Sequence, residues 1–489
     1  QVCFEEQPCA VALFFKAIMI DSHAHLTDPR FHHDLESVIR SARETGVHLI
    51  VSPGTTIEDS ESARAICRSH PECFWAAGVH PHNASDWNAT APKAIERLVR
   101  ESGLMGEIGL DFHYNFSPPS NQLDVLYSHL DIAETIGCPI IFHCRDAYDD
   151  LLELLKSRSG FEHRGVIHCF TGTFSQALEF TRLGYFISFG GMVTFKKMQG
   201  LRTVASRLPI DTLLLETDSP YLAPEPLRGN RNEPRFISYI YDAMAELRGC
   251  TRNDLMRVNR TNLHRAFGLG QPAPRGTVCY RIRDTLYINI TNRCLNRCRY
   301  CIRNQSEYYF GWHLILDHEP SVPEILADAA RHSGYKEVCF CGFGEPLLRA
   351  GVVLQIAHEL KKDGIFVRIN TCANFDSDNI ERLCEQLSAV IDHIDVSIGG
   401  HDAQSFREIC NPRNDAIRAR EEALAFIRTC HRFPRMQMTV SAVDAEGVDI
   451  ESCRNLALHL GTPFRIRRYQ QSAGAIGRAE SGSGAESGL

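Results

Sequence analysis

No segment of this 489-residue sequence stays apolar long enough to cross a bilayer. A spanning helix needs about 20 such residues, whereas the longest candidate, 10–20, is shorter and is broken by Lys16. A secretory h-region can be that short, but this run leads directly into Asp21-Ser22-His23-Ala24-His25, so its end reads as a buried first strand. A basic excess is also missing. The net charge of −8 excludes capture of nucleic acid by a global positive field, so a phosphate-bearing substrate must be held locally, by metal ions and a few arginines. Coiled-coil heptads and short-period repeats are absent, which excludes fibrous and solenoid architectures. A paired cysteine framework is absent too: 19 cysteines, an odd number, are scattered through the chain. That pattern fits reduced thiols and metal ligation in a cytoplasmic protein.

What is present is alternation. Short apolar runs at 18–21, 48–52, 74–79, 104–110, 139–142, 166–169, 185–189 and 212–216 are separated by helical patterns. In the first of these, Leu35, Val38, Ile39 and Ala42 share one face, and Gly46 can end the helix. Eight strand–helix units in about 250 residues predict an α/β fold, a closed TIM-type (β/α)8 barrel, over 19–270. Residues 271–284, with Gln271-Pro272-Ala273-Pro274-Arg275-Gly276, read as a linker. A second series at 286–290, 337–341, 365–370, 393–398, 437–442 and 464–468 predicts a partial (β/α)6 barrel over 285–470. Residues 1–18 read as an N-terminal extension of uncertain origin. Residues 471–489, rich in Gly, Ser, Ala and Glu, read as a disordered tail.

In a parallel barrel the chemistry sits at the C-terminal strand ends, and metal-competent residues fall there. His23 and His25 follow strand one, two apart, so both leave the same face. Glu107 lies in strand four, His143 and His168 end strands five and six, and Asp218 follows strand eight. Imidazole with carboxylate suits Zn, Mn or Mg. Two such ions can acidify a water and clamp the oxygens of a phosphodiester. Glu107 is the candidate bridge, and Asp218 a candidate ligand and proton acceptor. His80 and His82, in Gly78-Val79-His80-Pro81-His82, read as substrate contacts or supporting residues. A single histidine at a strand end is more often structural, so His32, His33, His48, His113 and His129 read as surface or packing residues.

Gly78-Val79-His80-Pro81-His82, Gly106-Glu107-Ile108-Gly109-Leu110-Asp111, Phe142-His143-Cys144-Arg145, His168-Cys169-Phe170-Thr171-Gly172, Glu216-Thr217-Asp218-Ser219-Pro220 and Arg228-Gly229-Asn230-Arg231-Asn232-Glu233-Pro234 resemble the TatD family of metal-dependent deoxyribonucleases. The resemblance covers about 19–270 and implies a two-metal site that hydrolyses phosphodiesters, typically as a 3′–5′ nuclease. Some relatives are described as D-aminoacyl-tRNA deacylases, so a deacylase or another amidohydrolase-type esterase is the alternative. The family's Tyr-rich stretch reads Asp111-Phe112-His113-Tyr114 here, a departure that bears on substrate choice. Arg145, Arg228 and Arg231 are candidate phosphate contacts.

Cys294, Cys298 and Cys301 have the spacing C-x3-C-x2-C and follow the first strand of the second series. A zinc site would want a fourth ligand. Three thiolates on a 4Fe-4S cluster instead leave one iron open to a small chelating molecule. Strand two of that series ends in Cys341-Gly342-Phe343-Gly344-Glu345-Pro346, whose backbone and Glu345 can hold an ammonium group. These features, with Tyr300 before the third cysteine, resemble the radical S-adenosylmethionine (radical SAM) enzymes. Arg368-Ile369-Asn370-Thr371, Asp395-Val396-Ser397-Ile398 and Phe464-Arg465-Ile466-Arg467-Arg468-Tyr469 resemble more closely the TatD-associated radical SAM proteins.

The resemblance implies reductive cleavage of S-adenosyl-L-methionine to a 5′-deoxyadenosyl radical, and hence an electron donor. Tyr300, Gly342, Gly344, Glu345, Asn370 and Ser397 are the candidate cofactor contacts. The chain departs from that pattern at Cys372-Ala373 and at Ile398-Gly399-Gly400. Cys339, Cys341 and Cys372 read as structural thiols. The sequence thus describes a bifunctional enzyme, with a nucleic-acid or nucleotide-derived substrate for the hydrolase. Its alternative is a radical SAM module that serves as a non-catalytic cluster-bearing regulator. Partner chains and the radical substrate are left open.

Overall fold

Apolar strands joined by amphipathic helices pair in parallel, because each crossover carries the chain back to the same sheet edge. In the computed structural model, which describes residues 18–114, 116–158, 164–304, 306–375 and 379–469, this happens twice. The described residues up to Ala273 form one compact unit and those from Pro274 a second. The extension read at 1–18 (apart from Ile18) and the tail read at 471–489 lie outside the described residues.

In the first unit the strands are β1 (Met19–Asp21), β2 (Val47–Pro53), β3 (Cys73–Ala76), β4 (Met105–Asp111), β5 (Ile140–Arg145), β6 (Gly165–Ile167), β7 (Tyr185–Phe189) and β8 (Leu213–Leu215). They pair in order as β1-β2-β3 and β4-β5-β6-β7-β8, all parallel. Single bridges, Ala77 with Met105 and Ala24 with Ser219, link the two sheets into a ring. This is the TIM-type barrel expected from the eight apolar runs. Its lower end is plugged: Ile20, Val51, Ala76, Ile141, Val166, Phe186 and Leu214 from seven strands pack with Leu263, Ala266 and Phe267 of the helix Arg252–Phe267. Burial of each of the larger side chains here stabilises by about 1.5–3 kcal/mol. The helix Leu35–Glu44 buries Val38, Ile39 and Ala42 as its period dictates.

The second unit is an open sheet. Six parallel strands, β10 (Thr285–Ile288), β13 (Glu337–Phe340), β14 (Phe366–Thr371), β15 (His393–Ser397), β16 (Gln437–Asp444) and β17 (Phe464–Arg468), run in sequence order. They match the six runs read from the sequence. The reading of 271–284 as linker needs correction, because Cys279–Ile282 is a strand, β9, antiparallel to β10. The turn between them is only two residues long, which hid the hairpin. A small hairpin, β11 (Tyr308–Tyr309) with β12 (Trp312–His313), follows the cysteine segment. Strand alternation divides the unit's side chains. Leu286, Ile288, Val338, Phe340, Val367, Ile369, Ile394, Val396 and Val440 join the core beneath the helices. Their neighbours Tyr287, Cys341, Arg368, Asn370 and Ser397 line a cavity of about 600 Å³. Among the described residues no helix is long and apolar enough to cross a membrane.

Candidate functional site

The first site is built on strand ends. Strand β4 is buried throughout, and Glu107 projects from it into a cavity of about 880 Å³. The glycines around Glu107 have a physical reason. A Cβ on Gly109 (φ +145) would sit 1.9 Å from the carbonyl oxygen of His143, and one on Gly106 (φ +146) would sit 2.6 Å from Ile141 Cβ. Only glycine lets β4 run this close to β5 and so bring Glu107 against His143.

The two oxygens of Glu107 face different clusters. Oε2 lies 3.3 Å from His23 Nε2 and 3.5 Å from His25 Nε2, and His25 Nε2 lies 3.4 Å from Asp218 Oδ1. Oε1 lies 2.7 Å from His168 Nε2, 2.9 Å from His143 Nδ1 and 3.5 Å from His80 Nε2. Three metal-competent triads result: His23, His25, Asp218; His23, Glu107, His168; and His80, Glu107, His143. Nε2 of His23 and Nε2 of His25 stand 3.2 Å apart, and Nδ1 of His23 is buried without a hydrogen-bond partner among the described residues. Five imidazoles and two carboxylates around one buried point fit divalent cations, which would use these lone pairs. Asp218 has φ +55, a conformation that costs a non-glycine residue and aims its carboxylate at the cluster.

The electrostatics follow. Burial works to raise the Glu107 carboxyl, but His168, His80 and His23 outweigh it and hold it well below the usual range. Burial also works against the charge on His168, yet Glu107 and Glu216 lift it well above its ordinary value. Burial pushes His80 well down, with His143 adding to the effect. His80, read from the sequence as a substrate contact or supporting residue, stands with Glu107 and His143 in one of the three triads.

Asp111 and Glu216, which sequence reasoning missed as site residues, both support this site. Asp111 Oδ2 accepts from His82 Nε2 at 2.8 Å and His143 Nε2 at 3.0 Å, while its backbone N–H donates to Gln122. Glu216 Oε1 lies 3.5 Å from His168 Nδ1 and accepts from the Cys169 backbone N–H. The signal was available, since 107, 109 and 111 share one face of a strand. Of the three arginines, only Arg145 lines the cavity. Arg231 is held by Asp34, Glu233 and the Arg30 carbonyl, and Arg228 stacks on Phe195. Of the histidines read as surface or packing residues, His113 lines the cavity, its Nδ1 2.8 Å from Asp146 Oδ2. His129 is fully buried, accepting from Val79 N–H at 3.2 Å and donating to Val125 O at 2.8 Å.

The second site lies in the cavity of the open sheet. Cys294, Cys298 and Cys301 all line it, together with Tyr300, Glu345 and Cys372. Gly342 and Gly344 are required by close approach: a Cβ on Gly342 would meet Asn289 Oδ1 at 2.0 Å, and one on Gly344 would meet the Thr291 carbonyl oxygen at 2.2 Å. They let the β13 turn pack under the root of the cysteine segment, where Glu345 N–H donates to Arg293 O at 2.8 Å. Glu345 is also engaged within the unit. Its Oε1 accepts from Leu347 N at 2.9 Å and Thr371 Oγ1 at 2.8 Å, and Oε2 from Cys372 N at 2.7 Å, so its carboxylate ties the β13 turn to β14. Asn370 accepts from Arg368, and Ser397 shares a hydrogen bond with the Tyr300 hydroxyl.

The thiols read as structural divide. Cys339 is buried, whereas Cys341 and Cys372 face the cavity. Cys372 shares a hydrogen bond with Cys294, and Cys341 is brought down to about 6, chiefly by its hydrogen bond with Cys339. Three convergent thiols on a loop, with polar groups opposite, fit a cluster with one open iron.

Comparison with known proteins accords with both sites. The TatD related DNase family matches residues 20–268, and the Radical SAM superfamily matches 288–439. A metal-dependent hydrolase of Bacillus subtilis, YabD, is 34% identical over 51% of this chain and 99% of its own length. The 3′–5′ ssDNA/RNA exonuclease TatD of Erwinia tasmaniensis is 36% identical over 51% of this chain and 100% of its own. The crystal structure of YjjV, a TatD homolog from Escherichia coli K12, superposes with a TM-score of 0.50 at 28% identity, covering 52% of this chain and 98% of that one. The chain belongs to the TatD related DNase family and carries a radical SAM domain in its second unit.

Proposed function

We propose that the first unit hydrolyses phosphodiester bonds of nucleic acid from a 3′ end, using two divalent ions. Glu107 would be shared between them, with His23, His25 and Asp218 holding one and His143 and His168 the other. The observation that carries this reading is the Glu107 carboxylate, whose two oxygens face two separate imidazole clusters. Ions bound there would acidify a water and stabilise charge on the attacked phosphate. The protein's own part is distinct. Asp218 is held ionised, its burial outweighed by His25 and His168, so its Oδ1 can take the proton of the attacking water. Asp111 fixes His143 and His82 in orientation. Arg145 lines the cavity with its guanidinium 4.7 Å over the Tyr114 ring, where it can meet a phosphate.

The test is hydrolysis of a 5′-labelled single-stranded oligonucleotide by metal-stripped protein after addition of Mg, Mn or Zn. Products shortened stepwise from the 3′ end are expected, and Glu107→Gln should abolish them. Cleavage that persists in chelator would overturn the reading, and activity confined to D-aminoacyl-tRNA would favour a deacylase.

The second unit, in the same reading, holds one 4Fe-4S cluster on Cys294, Cys298 and Cys301. Such a cluster, given an electron donor, supplies the electron that cleaves S-adenosyl-L-methionine. The chain positions that molecule: Gly342 and Gly344 keep the turn open beside the cysteines, and Tyr300, Asn370 and Ser397 line the cavity next to them. The thiols it depends on suit a reducing, cytoplasmic setting. Anaerobic reconstitution with iron, sulfide and dithionite should release 5′-deoxyadenosine. Reconstituted protein that binds iron but releases none would favour a cluster-bearing regulator.

A further inference from the structure

Among the described residues of the first unit, six large apolar side chains are exposed, and four of them, Tyr114, Phe116, Tyr221 and Leu222, crowd around the mouth of the metal cavity. A protein gains nothing in stability by leaving such rings in water, and their clustering at one opening marks a ligand surface. They form two groups. On one side the Tyr114 and Phe116 rings stack at 5.5 Å and 25°, and Phe116 stands 4.8 Å from the ring of His82. This group adjoins Asp111 and His143, next to Oε1 of Glu107. On the other side Tyr221 stands 5.9 Å from the ring of His25, next to Oε2. Cations attend both: the Arg145 guanidinium lies 4.7 Å over Tyr114, and that of Arg30 lies 4.2 Å over Tyr221. Arg30 is neutralised by Asp28, whereas Arg145 forms no ion pair among the described residues.

We propose that Phe116, backed by Tyr114, and Tyr221 are base-stacking platforms that hold the two nucleotides flanking the scissile phosphodiester, with Arg145 on an adjacent phosphate. The proposal rests on the phosphodiesterase reading of the metal site and adds to it how the substrate is recognised. A flat ring accepts any base by its π-face, so recognition is indifferent to sequence. A base inside a duplex has both faces covered by its neighbours, so the platforms select single strands. Aromatic groups on both sides of the cavity also mean that a phosphodiester without bases gains nothing from them.

The experiment compares single-stranded oligonucleotides that carry either normal bases or abasic residues at the two 3′-terminal positions. Both are hydrolysed by the full chain with Mn, and both are also given to Phe116→Ala, Phe116→Tyr and Tyr221→Leu. The wild type should favour the base-bearing strand, with KM about tenfold lower. That preference should shrink toward unity in Phe116→Ala, shrink in Tyr221→Leu and return in Phe116→Tyr. A wild type that cleaves both strands equally, or a preference untouched by Phe116→Ala, overturns the platforms. If the wild type cleaves neither strand, the phosphodiesterase reading itself fails, which is a separate result.

Discussion

Asp111 and His129 show how differently a buried polar side chain can be used at the scale of a single residue. Asp111 joins two imidazoles at the edge of the ligand cluster, so its value lies in orientation. Asp111→Asn keeps the shape but loses the charge that both rings donate to. We expect metal affinity and kcat/KM to fall about 10–100-fold, with little change in thermal stability of the metal-free protein. Isothermal titration with Mn would read the first effect. An unchanged affinity would assign Asp111 to folding alone.

His129 is used for packing. Burial, partly offset by its bond to the Val125 carbonyl, lowers it to about 4 against an ordinary 6.5. The unfolded chain therefore takes up a proton near pH 6.5 while the folded chain resists until about 4. Between those values the unfolded state binds more protons, and stability falls as pH falls, by up to about 3 kcal/mol. Urea melts at pH 7.5 and 5.0 should show this loss in the wild type and a smaller one in His129→Gln. Equal losses would place the titration elsewhere. Sequence separates His129 from His143 only by position, one inside a helical pattern and the other at a strand end. Their partners show the physical difference: carbonyl and amide for one, carboxylates for the other.

At the scale of elements, glycines set how closely strands approach. Gly109 brings β4 against β5 so tightly that its missing Cβ would overlap the His143 carbonyl. Gly109→Ala adds one carbon and a strained φ, and should destabilise the first unit by about 3 kcal/mol or more. It should also displace Glu107 from His143, so that residual folded protein binds Mn poorly. Calorimetry and metal analysis read the two effects separately, and a variant with native stability would mean that the strands relax apart at no cost.

The long strands were legible because their apolar runs are continuous and their helices keep a 3.6-residue period, as in Val38, Ile39 and Ala42. The elements that escaped, β9 and the β11–β12 hairpin, are two to four residues long. Strands as short, such as β6 (Gly165–Ile167) and β8 (Leu213–Leu215), were legible because each lies in an apolar run beside a helical pattern, whereas β9 is broken by Arg281 and the β11–β12 hairpin has no helix between its strands. The site divides in the same way. The strand-end ligands were readable from position. The commitment of Glu345 to Thr371 and Cys372 was not, because it depends on how two strands distant in sequence meet.

At the scale of the whole molecule, the two units differ in how they handle polar interiors. The barrel of the first is filled below by apolar side chains and a plugging helix, so its polar groups collect at one end around Glu107. The open sheet of the second places apolar residues beneath its helices and leaves its inner face polar, with Arg368 paired to Glu337 and Arg465 to Asp395. Each set of ligands is supplied by one unit alone: His23 to Asp218 by the first, Cys294 to Cys301 by the second.

A lesion at one set should therefore leave the other loaded. Cys298→Ala removes one of three thiolates and should abolish both bound iron and 5′-deoxyadenosine release, while Mn-dependent hydrolysis stays within about twofold of the wild type. Glu107→Gln should do the converse, ending hydrolysis and sparing iron. Parallel iron and manganese analysis, with both assays on each variant, gives a direct reading. If either substitution silences both activities, the independence of the two sites fails, and a mass-spectrometric search for modified 3′-terminal nucleotides becomes the next measurement.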